Sequence, residues 1–211
     1  MKVLSVNISK PQTITVNGKE ELTGYFKNPV ETIYLGKTDV KEDSVVDREH
    51  HGGENKACYL YGFNHYEFWK NKYPQTAFDF GMFGENITVE NIDESTLRIG
   101  DTFEIGEAII QITQPRQPCY KMGIKFNNQK VVNEFRLSDF PGIYVRVLKE
   151  GNVKTNDELK LIDRDNASPT VLEVYRLIYE SKPNQEKLNQ LIENKFIATS
   201  LKQYIQKKYT L

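Results

Sequence analysis

The chain has 211 residues, and 28 Lys and Arg against 29 Asp and Glu leave a formal charge of −1. That balance argues against a surface that coats nucleic acid, while leaving room for a local basic pocket. The two cysteines, Cys58 and Cys119, lie far apart and form no CxxC, which excludes a disulfide framework and a four-thiolate zinc site.

The opening residues 2–8 alternate in the manner of a strand. Residues 13–16 and 23–26 flank Asn17-Gly18, a hairpin turn signal. Residues 31–35 form another short β-type run. A helix is expected over 56–73, with Leu60, Tyr61, Asn64, His65, Phe68 and Trp69 at helical spacing and a stop before Pro74. Strands are expected over 86–89, within 99–106, and over 108–113, the last two joined by the reversal Gly106-Glu107. A second helix is expected over 128–137, and then strands over 143–148, ending at Glu150-Gly151-Asn152, and over 159–162. Many short strands joined by glycine-bearing turns suggest a barrel or a sandwich. The character changes after Arg164. Ser168 is a suitable N-cap and Pro169 a suitable first helical residue. Val171, Val174, Tyr175 and Ile178 then share one face. A second tail helix starts at Pro183-Asn184 and carries Leu188, Leu191 and Ile192. A third carries Leu201, Tyr204 and Ile205, and its Lys207-Lys208 suits a helix C-terminus. The division is therefore residues 1–164, mostly β with helices, and a three-helix unit over 165–211, small enough that it should pack against the rest. The start has no signal-peptide pattern, and no window is long and apolar enough to span a bilayer. The expectation is a soluble cytoplasmic protein with no membrane partner and no stable nucleic-acid binding.

Three segments carry chemistry. In Asp47–Lys56, Gly52-Gly53 allows backbone conformations closed to other residues, and a helix beginning near Lys56 would offer free N–H groups to an anion. His50 and His51 are adjacent and point opposite ways on an extended chain, whereas a zinc site needs two or three convergent ligands. A polar turn with one histidine capping backbone groups, and one histidine contacting a phosphate-bearing ligand, are both open. In Gly81-Met82-Phe83-Gly84-Glu85-Asn86, the carboxylate and amide could hold the edge of a polar heterocycle, although such a turn is common. In Gln114-Pro115-Arg116-Gln117-Pro118-Cys119-Tyr120-Lys121, two prolines stiffen the chain and place one thiol between Arg116 and Lys121. Nearby cations favour the thiolate, the nucleophilic and metal-binding form; the bland alternative is a buried Cys acting as a small hydrophobe. Over 114–136 the basic residues are Arg116, Lys121, Lys125, Lys130 and Arg136, and the only acid is Glu134. Such a cluster is by default a solvated basic face, but beside a thiolate it reads as an anion site.

HHGGENKA, GMFGENITV, LRIGDTFEIGEAIIQITQPRQPCYKMG and PGIYVRVLKEG, in this order and spacing, resemble the MOSC domain family, named for the C-terminal domain of molybdenum-cofactor sulfurases. The resemblance covers most of residues 1–162, and the three-helix tail is similar to the appendage of the YiiM-like bacterial branch. It implies an α+β fold, a MOSC-type β-barrel followed by a small three-helix domain, that binds molybdenum cofactor. It also implies that Cys119 is a molybdenum ligand or a sulfur carrier, and that the activity is reduction of N-hydroxylated compounds such as hydroxylaminopurine. On that basis the expected catalytic residues are Cys119 and His51, the latter for a proton or for cofactor positioning. The expected cofactor contacts are Arg116, Lys121, Gly52, Gly53, Gly84, Glu85, Asn86 and His50. The competing readings are a carrier or cofactor-delivery protein holding a persulfide on Cys119, and a zinc hydrolase using His50 or His51 with Cys119 and Asp47. With no CxxC-type cluster motif and no GxGxxG in the chain, electrons for a reductase would come from a separate protein. Tyr- and Phe-rich segments leave room for a homodimer.

Overall fold

The computed structural model describes residues 1–16, 18–46 and 52–209. Its main sheet is built from β1 (Val3–Ile8), β4 (Asn28–Val30), β6 (Cys58–Gly62), β7 (Ile87–Val89), β8 (Thr102–Ile105), β9 (Ala108–Pro115), β10 (Ile143–Lys149) and β12 (Leu159–Asp163). The strand order is β12-β8-β9-β10-β6-β7-β1-β4, antiparallel throughout except for β6 and β7. Two small sheets stand apart from it: β2 (Gln12–Val16) with β3 (Lys19–Thr23), and β5 (Thr32–Leu35) with β11 (Gly151–Lys154).

The expected closed barrel is not formed: among the described residues no ladder joins β12 to β4. The last strand, β4, is three residues long and contains Pro29, which has no N–H to give and belongs at a sheet edge. The start of β1 instead meets the start of β12 through the Lys2–Glu158 bridge, with Leu159 N donating to Met1 O at 2.7 Å. The fold is mixed α+β, a large open sheet with six α-helices among the described residues.

The expected helix over 56–73 is a correction of some size. Its first half is the strand β6, followed by a 3-10 turn at Phe63–His65, and only Tyr66–Lys72 is α-helix (α1). β6 lies between β10 and β7 with all five residues buried, so it shows no alternation and its apolar run can be mistaken for a helix face. The hairpin forms around the expected turn, with Gly18 at φ +77°, but its return strand is β3 rather than 23–26. β11 and the short helix α2 (Tyr120–Lys125) were not foreseen; α3 (Lys130–Leu137) was.

The tail folds as α4 (Val171–Tyr179), α5 (Gln185–Glu193) and α6 (Thr199–Tyr209). The cap of α4 is Thr170, not Ser168. Its hydroxyl accepts from Glu173 N at 3.1 Å while Glu173 Oε2 accepts from Thr170 N at 2.8 Å, a reciprocal capping box. Asn184 caps α5, its side chain accepting from Lys187 N at 3.0 Å. Val174, Ile178, Leu188, Leu201 and Ile205 pack into the same apolar cluster as Val3, Ile87, Ile110 and Val145 of the sheet. A second cluster is almost wholly aromatic and gathers Tyr59, Tyr61, Tyr66, Trp69, Phe83, Phe126 and Phe135. Burial of each such side chain is worth roughly 1.5–3 kcal/mol. Among the described residues no helix is long and apolar enough to cross a membrane.

Candidate functional site

β9 ends at Pro115 and α2 begins at Tyr120, so the expected Cys119 segment is the link between a central strand and a short helix. Arg116 points inward from this link and is only 3 % exposed. Its Nη1 donates to the carbonyl of Phe83, in the Gly81–Gly84 turn. Its guanidinium lies 4.4 Å from the Tyr59 ring centroid and 5.3 Å from that of Tyr25. Its Nε is buried and has no hydrogen-bond partner among the described residues.

Arg116 forms part of a cleft lined also by Tyr25, Lys27, Asp43, Gly52, Lys56, Tyr59, Gly84, Asn86, Lys121 and Tyr144. Its enclosed part measures about 80 Å³. Among the described residues the lining holds four basic side chains, Lys27, Lys56, Arg116 and Lys121, against one carboxylate, Asp43, an excess that favours an anion. Lys27 and Asp43 form a buried ion pair. Burial pushes the Asp43 carboxyl up, but the Lys27 ammonium outweighs it, together with hydrogen bonds from Ser9 and Asn86, and holds the group below the usual range. Burial raises the Tyr25, Tyr59 and Tyr144 phenols, and keeps them neutral, with Arg116 partly opposing the shift. Tyr59 and Tyr144 face each other because β6 and β10 pair them in register, with ring centroids 5.3 Å apart.

The structure brings together Arg116, Lys121, Gly52, Gly84 and Asn86 from the expected set. Cys119 is half-buried, at the N-cap position of α2, and does not line the cleft itself. It lies within electrostatic reach of Tyr25, Arg116 and Tyr144, which do. Cys58, by contrast, is sealed inside β6 at 1 % exposure, and burial pushes its thiol up. Asn86 is fixed by donating to Asp43 Oδ2 at 2.8 Å and accepting from Tyr59 N at 3.3 Å. Gly84 sits at φ +77°, and a Cβ there would meet the Tyr25 ring at 3.1 Å.

Glu85 does not reach the cleft. Its Oε1 accepts from Gly81 N, Tyr66 Oη and Thr88 Oγ1 at 2.9, 2.5 and 2.8 Å, and its Oε2 from Phe83 N at 3.0 Å. It braces the turn that presents Gly84 and the Phe83 carbonyl. Gly53, at φ +80°, precedes a 3-10 turn of three residues, Glu54–Lys56, instead of the expected helix, so the expected row of helix N–H groups is absent there. Asp47, His50 and His51 lie outside the described residues. Among the described residues no group of three or more His, Cys, Asp and Glu converges as metal ligands would.

Sequence reasoning did not find Tyr25, Lys27, Asp43, Lys56, Tyr59 or Tyr144. Lys56 closes the singled-out Asp47–Lys56 segment, where it was read only as a helix start; the other five sit in no local pattern that signals a site. A larger cavity of about 540 Å³ lies between α4, α5 and the Ser168 loop. Three of its charged side chains are committed elsewhere: Arg98 to the Ser168 carbonyl, Glu173 to the α4 cap, and Arg176 to Asp139.

Residues 47–160 match the family model of the MOSC domain. The chain is 33 % identical over 207 residues to protein YflK of Bacillus subtilis (strain 168), covering 98 % of this chain and 93 % of that one. It is 30 % identical over 141 residues to a protein named Reductase from Gibberella moniliformis, covering 64 % of this chain and 25 % of that one. The crystal structure of YiiM from Geobacillus stearothermophilus superposes with a TM-score of 0.82 at 27 % identity, covering 98 % of both chains. The chain belongs to the MOSC domain family.

Proposed function

We propose that the cleft binds molybdenum cofactor and that the chain reduces N-hydroxylated compounds, base analogues such as hydroxylaminopurine among them. Arg116 carries the reading: a buried guanidinium between two aromatic rings, with Nε unpartnered among the described residues, three residues before a half-buried thiol. A buried donor left unmade costs about 1–3 kcal/mol, which favours a ligand that accepts from it. The residues suit the cofactor. Its phosphate matches Arg116 and Lys121, its flat heterocycle matches the Tyr25, Tyr59 and Tyr144 rings, and a thiolate is a soft ligand for the metal. The family match and the relative named Reductase lie in the same direction.

Bound cofactor would supply the two-electron exchange with the substrate's oxygen. The chain's own part is binding and orientation. Arg116 and Lys121 hold the anionic end. Gly84 and Gly52, without side chains, let a ligand lie close to the backbone. Asn86, immobilised by Asp43 and Tyr59, presents a fixed polar edge. Cys119 would be the metal ligand, and His51, with His50 beside it, is assigned to positioning or to proton delivery. The overall change is R–NHOH plus two electrons and two protons to R–NH₂ plus water. The electrons come from a separate donor protein.

The test is reduction of hydroxylaminopurine by protein from a cofactor-competent host, wild type and Cys119→Ala, with molybdenum, zinc and persulfide measured on each. Molybdenum-dependent activity lost in Cys119→Ala, at unchanged circular dichroism, is expected. Full activity in that variant refutes the assignment. Persulfide without molybdenum would mark a carrier, and zinc alone a hydrolase.

A further inference from the structure

The β2–β3 hairpin pairs with no other strand among the described residues, and most of its residues are exposed, with Leu22 at 55 %. Its base is pinned. Ser9 Oγ donates to Gly24 O at 2.6 Å, and a Cβ on Gly24 would collide with the Ser44 carbonyl at 1.7 Å. The residues that leave this base, Thr23, Gly24 and Tyr25, line the cleft. Further out, Glu21 of β3 accepts a hydrogen bond from the Tyr120 hydroxyl at 2.6 Å. Tyr120 is the residue after Cys119 and is 42 % exposed. The hairpin is thus rooted at the cleft wall and tied across to the segment that carries the thiol.

We infer that β3 acts as a flap over the Cys119 side of the cleft, and that the Glu21–Tyr120 bond is a latch that sets the size of molecule reaching the thiol. The physical grounds are mechanical. A two-stranded ribbon without a third strand is only marginally stable by itself, so its position depends on what ties it down. A hydrogen bond to a charged acceptor is the strong kind, yet it is one bond, small enough to open and close. The inference gains its significance from the proposed role of Cys119, but it concerns access alone and needs no cofactor to test.

The experiment compares two neutral thiol reagents on the full chain, methyl methanethiosulfonate and a pyrene-bearing maleimide. The proteins are the wild type, Tyr120→Phe and Glu21→Ala, with Cys119→Ala giving the background from buried Cys58. Any change in the reactivity of the sulfur itself alters both rates alike, so the ratio of the two rates isolates access. Both variants are expected to react roughly three to tenfold faster with the bulky reagent, the range for loss of one ordinary hydrogen bond, since solvent weakens this exposed pair, and less than about twofold faster with the small one. Bulky-reagent rates within about twofold of the wild type in both variants would overturn the latch. So would equal acceleration with both reagents, which would mean general loosening of α2. A protein that contains no molybdenum but shows the expected ratio keeps the latch and loses the proposed function.

Discussion

Glu85 offers the sharpest separation between a residue that touches a ligand and one that builds the place where a ligand sits. In Glu85→Gln the side-chain volume is kept and the charge is lost. Placed to save the most bonds, the new amide oxygen takes the Oε1 position and still accepts from Gly81 N, Tyr66 Oη and Thr88 Oγ1. The amide nitrogen then faces the Phe83 N–H, donor against donor, where Oε2 accepted at 3.0 Å. One charge-assisted bond disappears, a buried N–H is left without a partner, and the three surviving bonds become neutral. Together these should cost about 2–3 kcal/mol. Urea unfolding followed by circular dichroism would read this as a fall in the midpoint at constant slope. Below the transition, molybdenum loading should stay near the wild-type level, because the carboxylate is aimed at the turn and away from the cleft. A loss of stability under about 0.5 kcal/mol, or loss of the cofactor from a fully folded variant, would refute the assignment of Glu85 to the turn.

Lys27→Met should strand the Asp43 carboxylate inside the cleft wall. Breaking a buried pair costs roughly 3–5 kcal/mol, and the low end applies because Ser9 and Asn86 still donate to Asp43. The wild-type pair lowers the Asp43 pKa, so its contribution to stability is present above the unfolded carboxyl value and lost as pH falls through the folded one. In Lys27→Met the acid limb of a stability–pH curve should move to higher pH, and an unmoved limb would argue against the pair. Lys125 donates to the Gly81 carbonyl at 2.8 Å, and burial pulls its ammonium down to about 8, partly opposed by Glu85 and Asp79. The unfolded chain then binds more protons than the folded one between that value and the ordinary lysine range, so this group makes stability rise with pH across the window. An NMR titration of its Nζ-attached methylene with a midpoint at the ordinary value would contradict the burial.

The parts of the site that could be read from the sequence are the ones encoded locally. Pro115, Arg116, Pro118 and Cys119 fall in one stiff run, and Gly84 with Asn86 in another, so their chemistry shows without knowledge of the fold. Tyr59 and Tyr144 become neighbours only through the β6–β10 register, and Lys27 meets Asp43 only once the chain has turned back on itself. Nothing local marks either pair. β6 was misread for a related reason: a strand buried on both faces loses the alternation that identifies strands, and Tyr59, Leu60 and Tyr61 then imitate a helix face. The place of Glu85 could not be read because a carboxylate beside a glycine turn looks the same in sequence whether it faces a ligand or folds back on the turn's own N–H groups. The tail was legible because amphipathic helices with caps carry their period with them. Even there, Thr170 with Glu173 outcompeted Ser168, since the capping box satisfies two donors where a lone hydroxyl satisfies one.

The most direct measurement is the molybdenum content of wild-type protein and of Arg116→Met, both purified from a cofactor-competent host and both verified as folded by circular dichroism. Near-stoichiometric molybdenum in the wild type, and its loss in a folded Arg116→Met, is the expected result. Equal loading of the two proteins, or a wild type that carries none, would contradict the assignment of the cleft.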